Sequence, residues 1–89
     1  MWIMSANGVL YNSDKFIRIS IEQDILTKKC CVFGTLPLKD PDYNTGYALS
    51  DDLDTLEEAS KEMMRFCESL ERKRTLHIFD HKNLKTQEE

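Results

Sequence analysis

Thr55-Leu56-Glu57-Glu58-Ala59-Ser60-Lys61-Glu62-Met63-Met64-Arg65-Phe66-Cys67-Glu68-Ser69-Leu70-Glu71-Arg72-Lys73-Arg74 decides the fold. Thr55 stands three residues before Glu58, the spacing of a capping box, in which the hydroxyl accepts from the Glu58 amide and the carboxylate reaches back. Leu56, Ala59, Met63, Phe66 and Leu70 then recur at intervals of three and four, with Cys67 beside them, and so form one apolar stripe on a helix. Acidic residues crowd the first turn and Arg72-Lys73-Arg74 the last, the polarity that the helix dipole favours. The pattern predicts a helix over 55–73.

Upstream the period changes from 3.6 to 2. Ile17, Ile19 and Ile21 alternate with Arg18, Ser20 and Glu22, which predicts a half-buried strand over 16–22. Its isoleucine face is expected to meet the helix stripe. Trp2–Ser5 and Val9–Tyr11 flank Asn7-Gly8, a hairpin signal. Cys30–Leu36 reads as a further strand with a possible bulge at Gly34, and Gly46–Ser50 as a short one with Tyr47 and Leu49 on one face. Thr75–Phe79 fits a last strand or an extended arm. These elements predict an α+β fold: a mostly antiparallel β-sheet of about five strands with one long α-helix packed on one face. Residues 1–80 form one domain, and 81–89 read as a polar tail that frays.

The chain has 89 residues and a net charge of −4, with 40% hydrophobic and 31% charged residues. A chain of this length buries roughly 60–65% of its unfolded surface, enough for a thin core and not for a cleft between lobes. The acidic balance disfavours generic nucleic-acid binding, which depends on Lys and Arg neutralising phosphates. The three cysteines, Cys30, Cys31 and Cys67, make a poor disulfide framework, so reduced, buried thiols and a cytoplasmic location are expected. The first residues lack a signal-peptide pattern, and no apolar run nears the roughly 20 residues of a membrane span, so no membrane partner is expected.

Several motifs come close to chemistry. Asp40-x-Asp42-x-Asn44 resembles the opening of a calcium loop, but its sixth position is Thr45, its glycine comes late at Gly46, and its twelfth position is Asp51. His77 and His81 are four apart, a zinc spacing on a helix; in an extended stretch the rings separate, and surface histidines are the simpler reading. The glycines Gly8, Gly34 and Gly46 are scattered, no nucleophile has an evident base, and no carboxylate pair stands out. The sequence therefore predicts no enzyme, no cofactor and no metal.

The acidic run carries the most functional content. Between Lys39 and Glu62 eight carboxylates stand against two lysines. Part of this is helix capping and a solvated face. The remainder suits a surface that docks on a basic partner, where charge complementarity speeds encounter. The candidate partner-binding residues are Asp40, Asp42, Tyr43, Asp51, Asp52 and Asp54. Trp2, Tyr11, Tyr43 and Tyr47 are the candidate exposed aromatics, although a tryptophan near a terminus often closes a core.

Met1-Trp2-Ile3-Met4-Ser5, Asn7-Gly8, Asn12 before an isoleucine-rich strand, Tyr47-Ala48-Leu49, an acidic turn and a Glu-rich helix together span about residues 1–72. In this order they resemble small proteins encoded by phages, prophages and mobile elements of Gram-positive bacteria. Lys39–Thr45 and the residues beyond Arg74 depart from that pattern. The resemblance transfers no catalytic residue. It implies a non-catalytic inhibitor or adaptor that occupies the surface of a host (defence) factor. The alternatives are a small-ligand or metal-binding module using the Asp40–Asp51 loop, and a homo-oligomer built through open sheet edges.

Overall fold

The computed structural model describes residues 1–37 and 45–81. Along the chain these form β1 (Trp2–Met4), β2 (Leu10–Asn12), a 3-10 turn (Ser13–Lys15), β3 (Arg18–Gln23), β4 (Cys30–Thr35), β5 (Gly46–Ala48), α1 (Leu56–Glu71) and β6 (Leu76–Ile78). The α+β class and the single long helix are as expected. The strands, however, number six among the described residues and divide into two three-stranded sheets, ordered β2-β1-β6 and β3-β4-β5. Every pair is antiparallel except β1 with β6, which run parallel.

The β1–β2 connection is longer than a two-residue hairpin. Gly8 alone has positive φ (+86°), its amide donates to the Ser5 carbonyl at 2.9 Å, and the Ser5 amide donates to the Val9 carbonyl. A turn followed by one left-handed glycine is the pattern of a three-residue loop with a bulge. In β3–β4 the register runs without interruption from Arg18↔Thr35 to Gln23↔Cys30, so Gly34 is not a bulge. Its role is close packing: a Cβ there would lie 2.7 Å from the Phe16 ring. Gly46 is tighter still, because a Cβ would stand 2.0 Å from the Gly34 carbonyl oxygen.

Helix α1 starts as the sequence indicates. Thr55 Oγ1 accepts from the Glu58 amide at 3.1 Å, but the Glu58 carboxylate accepts from the Asp54 amide, one residue before the cap. The helix ends in a Schellman turn. The Arg74 amide reaches the Ser69 carbonyl, the Lys73 amide reaches the Leu70 carbonyl, and Lys73 occupies the left-handed position with φ 56°. That reversal sends the chain straight into β6.

The core gathers where the helix meets both sheets: Ile3 from β1, Val32 from β4, Leu49, Phe66 from α1 and Phe79. Met1, Tyr11, Phe16, Ile19 and Met63 pack around it. The sheets are also joined directly, by the Ala6 amide on the Leu49 carbonyl at 2.8 Å and by Tyr11 stacked on Tyr47 at 4.8 Å. Three expectations need correction. Ile17 lies before β3 and is exposed, so the isoleucine face narrows to Ile19 and Ile21. The buried helix residues are Ala59, Phe66 and Ser69, while Leu56 and Leu70 are exposed. Cys67, expected to be buried, is exposed. The stripe is rotated because the helix must face β6 as well as β3 and β4.

Phe66→Ala is therefore expected to destabilise by about 3–5 kcal/mol, and Leu70→Ala by about 1 kcal/mol or less. Gly46→Ala, which must displace the β4 backbone, is expected to cost about 1–3 kcal/mol. Urea unfolding of the three variants measures the order.

Candidate functional site

The described acidic candidates cluster because β5 does not continue regularly along β4. Beyond the Phe33↔Ala48 pair, the next bridge is Cys30↔Leu53, so Leu49–Asp52 face only Cys31 and Val32. The Ser50 hydroxyl replaces a backbone partner here, accepting from the Val32 amide at 2.8 Å and donating to the Asp51 carbonyl. The two extra residues push Asp51 and Asp52 outward. Asp51 lies 3.8 Å from His81 Nε2, and Asp54 lies 3.8 Å from Lys29 Nζ. Asp52 is exposed. Asp40, Asp42 and Tyr43 lie outside the described residues.

Asp52 also joins residues that the linear acidic run does not contain. A groove of about 480 Å3 on the outer side of β3-β4-β5 has Cys31, Phe33 and Ala48 among its walls, with Glu22, Asp24, Asp52 and Lys29 around it. Burial raises the Cys31 thiol pKa, and the neighbouring Asp52 and Glu22 carboxylates raise it further. Cys31 is therefore held as the thiol, the opposite of what a nucleophile requires. Glu22 was legible as an outward residue of the alternating strand, but its meeting with Asp52 depends on the register across β4. At the hairpin tip, the Asp24 carboxylate accepts from the Leu26 and Thr27 amides. This compact turn leaves Ile25 and Leu26 83% and 93% exposed.

The other sheet presents a different surface. Ile3, Tyr11 and His77 point inward, as their mutual register and burial require. On the outward side, Leu10, Met4 and Ile78 form one row across the strands, and Asn12, Trp2 and Leu76 form the next. Trp2, Leu10, Leu76 and Ile78 are 41–49% exposed. Trp2 thus does not close the core. Short strands that are apolar on both sides give no alternation, so this face was not readable from the period of the sequence.

His77 is buried, contrary to its expected place on the surface. It lies in β6, an extended strand and not a helix, as the sequence indicates. His77 Nδ1 and Ser69 Oγ share a hydrogen bond of 2.6 Å, and the ring packs edge-on against Phe66 and Phe79. Nε2 has no partner among the described residues, so nothing there orients the imidazole as a base for Ser69. Burial, and next the Arg65 charge, lower the His77 pKa. The pair reads as a polar tie between α1 and β6.

Among the described residues no group of three or more His, Cys, Asp or Glu side chains could hold a metal ion, and no helix is long and apolar enough to cross a membrane. The chain matches no protein-family profile, no curated protein and no solved structure.

The lowered His77 pKa has a definite sign. Below about pH 6.5 the unfolded imidazole takes up a proton that the folded one resists. The unfolded state then binds more protons, so this contribution is complete above the unfolded pKa. It is lost as pH falls through that value toward the lowered one. Stability of the wild type is expected to decline between about pH 7 and 5, and His77→Gln to flatten that decline. Ser69→Ala, which leaves Nδ1 unpaired, is expected to destabilise by about 1–3 kcal/mol at neutral pH. Denaturant titrations across this range check both.

Proposed function

We propose that this protein is a non-catalytic protein-binding module that acts by covering the surface of a partner. The observation that carries the reading is the outward face of β2-β1-β6, where Trp2, Met4, Leu10, Leu76 and Ile78 lie side by side, with Trp2, Leu10, Leu76 and Ile78 exposed among the described residues. Soluble monomers rarely expose a contiguous apolar face of this kind unless something binds it. A partly exposed tryptophan within such a patch is the residue type that most often anchors an interface.

The acidic bulge supplies the second element. Asp52, with Glu22 and Asp24 around the same groove and Asp51 and Asp54 on either side, supports a partner with a basic surface, drawn in by charge and held by apolar contact. The net charge of −4 argues against nucleic acid as that partner. The resemblance to phage and mobile-element proteins supports a host factor, inhibited by occlusion inside the cytoplasm. The three free cysteines suit that reducing compartment.

Affinity capture from the host, followed by reconstitution with the purified partner, tests the reading. Trp2→Ala with Leu10→Ser is expected to weaken binding by about 30-fold or more. Asp51→Lys, Asp52→Lys and Asp54→Lys together are expected to slow association and remove its salt dependence. Full affinity in both variants would sink the proposal. So would micromolar binding of calcium, zinc or a nucleotide in calorimetry with no protein partner captured.

A further inference from the structure

We infer that β6 is a self-pairing edge: β6 of one copy adds antiparallel to β6 of a second copy about a twofold axis at His77, giving one continuous six-stranded sheet. In the order β2-β1-β6, the far side of β6 faces no strand among the described residues. On the near side, the Thr75 carbonyl accepts from the Trp2 amide at 2.8 Å and the Phe79 amide donates to the Met4 carbonyl at 2.9 Å. Backbone groups alternate along a strand, so the N–H and C=O of both Leu76 and Ile78 point to the open side. A groove of about 300 Å3 runs along that side between β6 and α1. It touches Leu76, His77 and Ile78 in succession. Side chains of consecutive strand residues point to opposite faces, so a hollow bordered by all three lies at the rim of the strand.

The sequence of this rim is complementary to itself. It reads Arg74-Thr75-Leu76-His77-Ile78-Phe79-Asp80. Antiparallel pairing centred on His77 sets Leu76 against the partner's Ile78, and Arg74 against the partner's Asp80. The same register makes Leu76 and the partner's Ile78 a hydrogen-bonded pair, using the very N–H and C=O groups that point outward. The symmetric copy repeats each contact, as a twofold interface requires. Arg74 and Asp80 are both among the residues that line the groove. Arg74 has no ion-pair partner among the described residues, while Asp80 is approached by Arg65 at 3.6 Å. Of the devices that protect an edge, β6 has shortness, being three residues long, but no proline, bulge or inward charge lies within 75–79. An unrelated extended peptide could use the same backbone groups, but it would not match both the apolar and the charged positions as a second copy does.

The ladder is short, so the dimer is weak and concentration-dependent. The pairing is made by backbone groups at the rim of the sheet; Leu76 and Ile78 also belong to the apolar face, so Trp2 and Leu10 are the residues that the partner-binding reading uses and the dimer does not. Two such faces would lie side by side across the axis.

Sedimentation equilibrium and amide hydrogen exchange on the purified full chain, with no partner present, test this. The wild type is expected to dimerise, with exchange at the Leu76 and Ile78 amides slowing as concentration rises. Arg74→Asp and Asp80→Arg, each placing like charges at both ends of the ladder, are expected to weaken the dimer by about tenfold or more. The double reversal is expected to restore it. A monomer at all concentrations, or exchange at Leu76 and Ile78 independent of concentration, would overturn the inference even if neither variant folds. A dimer indifferent to either single reversal would assign the association to another surface and overturn it equally.

Discussion

Two three-stranded sheets, each with strands as short as three residues, lack the buried area to stand alone. What makes them one body is the contact of a single helix face with both. Phe66 stacks on Phe79 and meets His77 of β6, while the helix also packs against β3 and β4. The buried set draws Ile3, Val32 and Phe66 from β1, β4 and α1, and Leu49 and Phe79 from the residues just past β5 and β6. Removing any one therefore loosens the junction as a whole and not merely one strand pair. The close approach of Gly34 and Gly46 serves the same end, bringing β5 near enough for Tyr47 to stack on Tyr11 of the other sheet.

The helix and the main strands were legible because their periods are unambiguous, and the Thr55 cap appears where the spacing puts it. The division into two sheets was not legible. It depends on β1 pairing parallel with β6 across nearly the whole chain, and no local pattern encodes a partner that remote. The rotation of the helix face follows from the same cause, since Ser69 is buried only because His77 offers its hydroxyl a partner. Leu70, more apolar, remains outside. Of the candidate site, Asp51, Asp52 and Asp54 stand together as their adjacency implied. The companions Glu22 and Asp24 are supplied by cross-strand register, and the apolar face by strands too short to show alternation.

The surface is divided by chemistry. The outer side of β3-β4-β5 is rimmed with carboxylates and keeps its thiol protonated. The outer side of β2-β1-β6 is apolar and carries the single tryptophan. On the proposed reading, both sides are open to contact with a partner larger than the groove or the face itself. Such a division suits a small chain whose activity is recognition, because long-range attraction and short-range adhesion can then be changed separately.

The parallel contact of Trp2 with Leu76 also has a consequence for how the molecule comes into being. During synthesis the β1–β2 and β3–β4 hairpins can assemble early from neighbours in the chain, whereas the pairing of β1 with β6 must wait for the last described strand to emerge. Until then the edge of β1 that β6 covers is open. A nascent or truncated chain would expose a sticky ribbon, and the interval before closure is when chaperones or proteases would meet it.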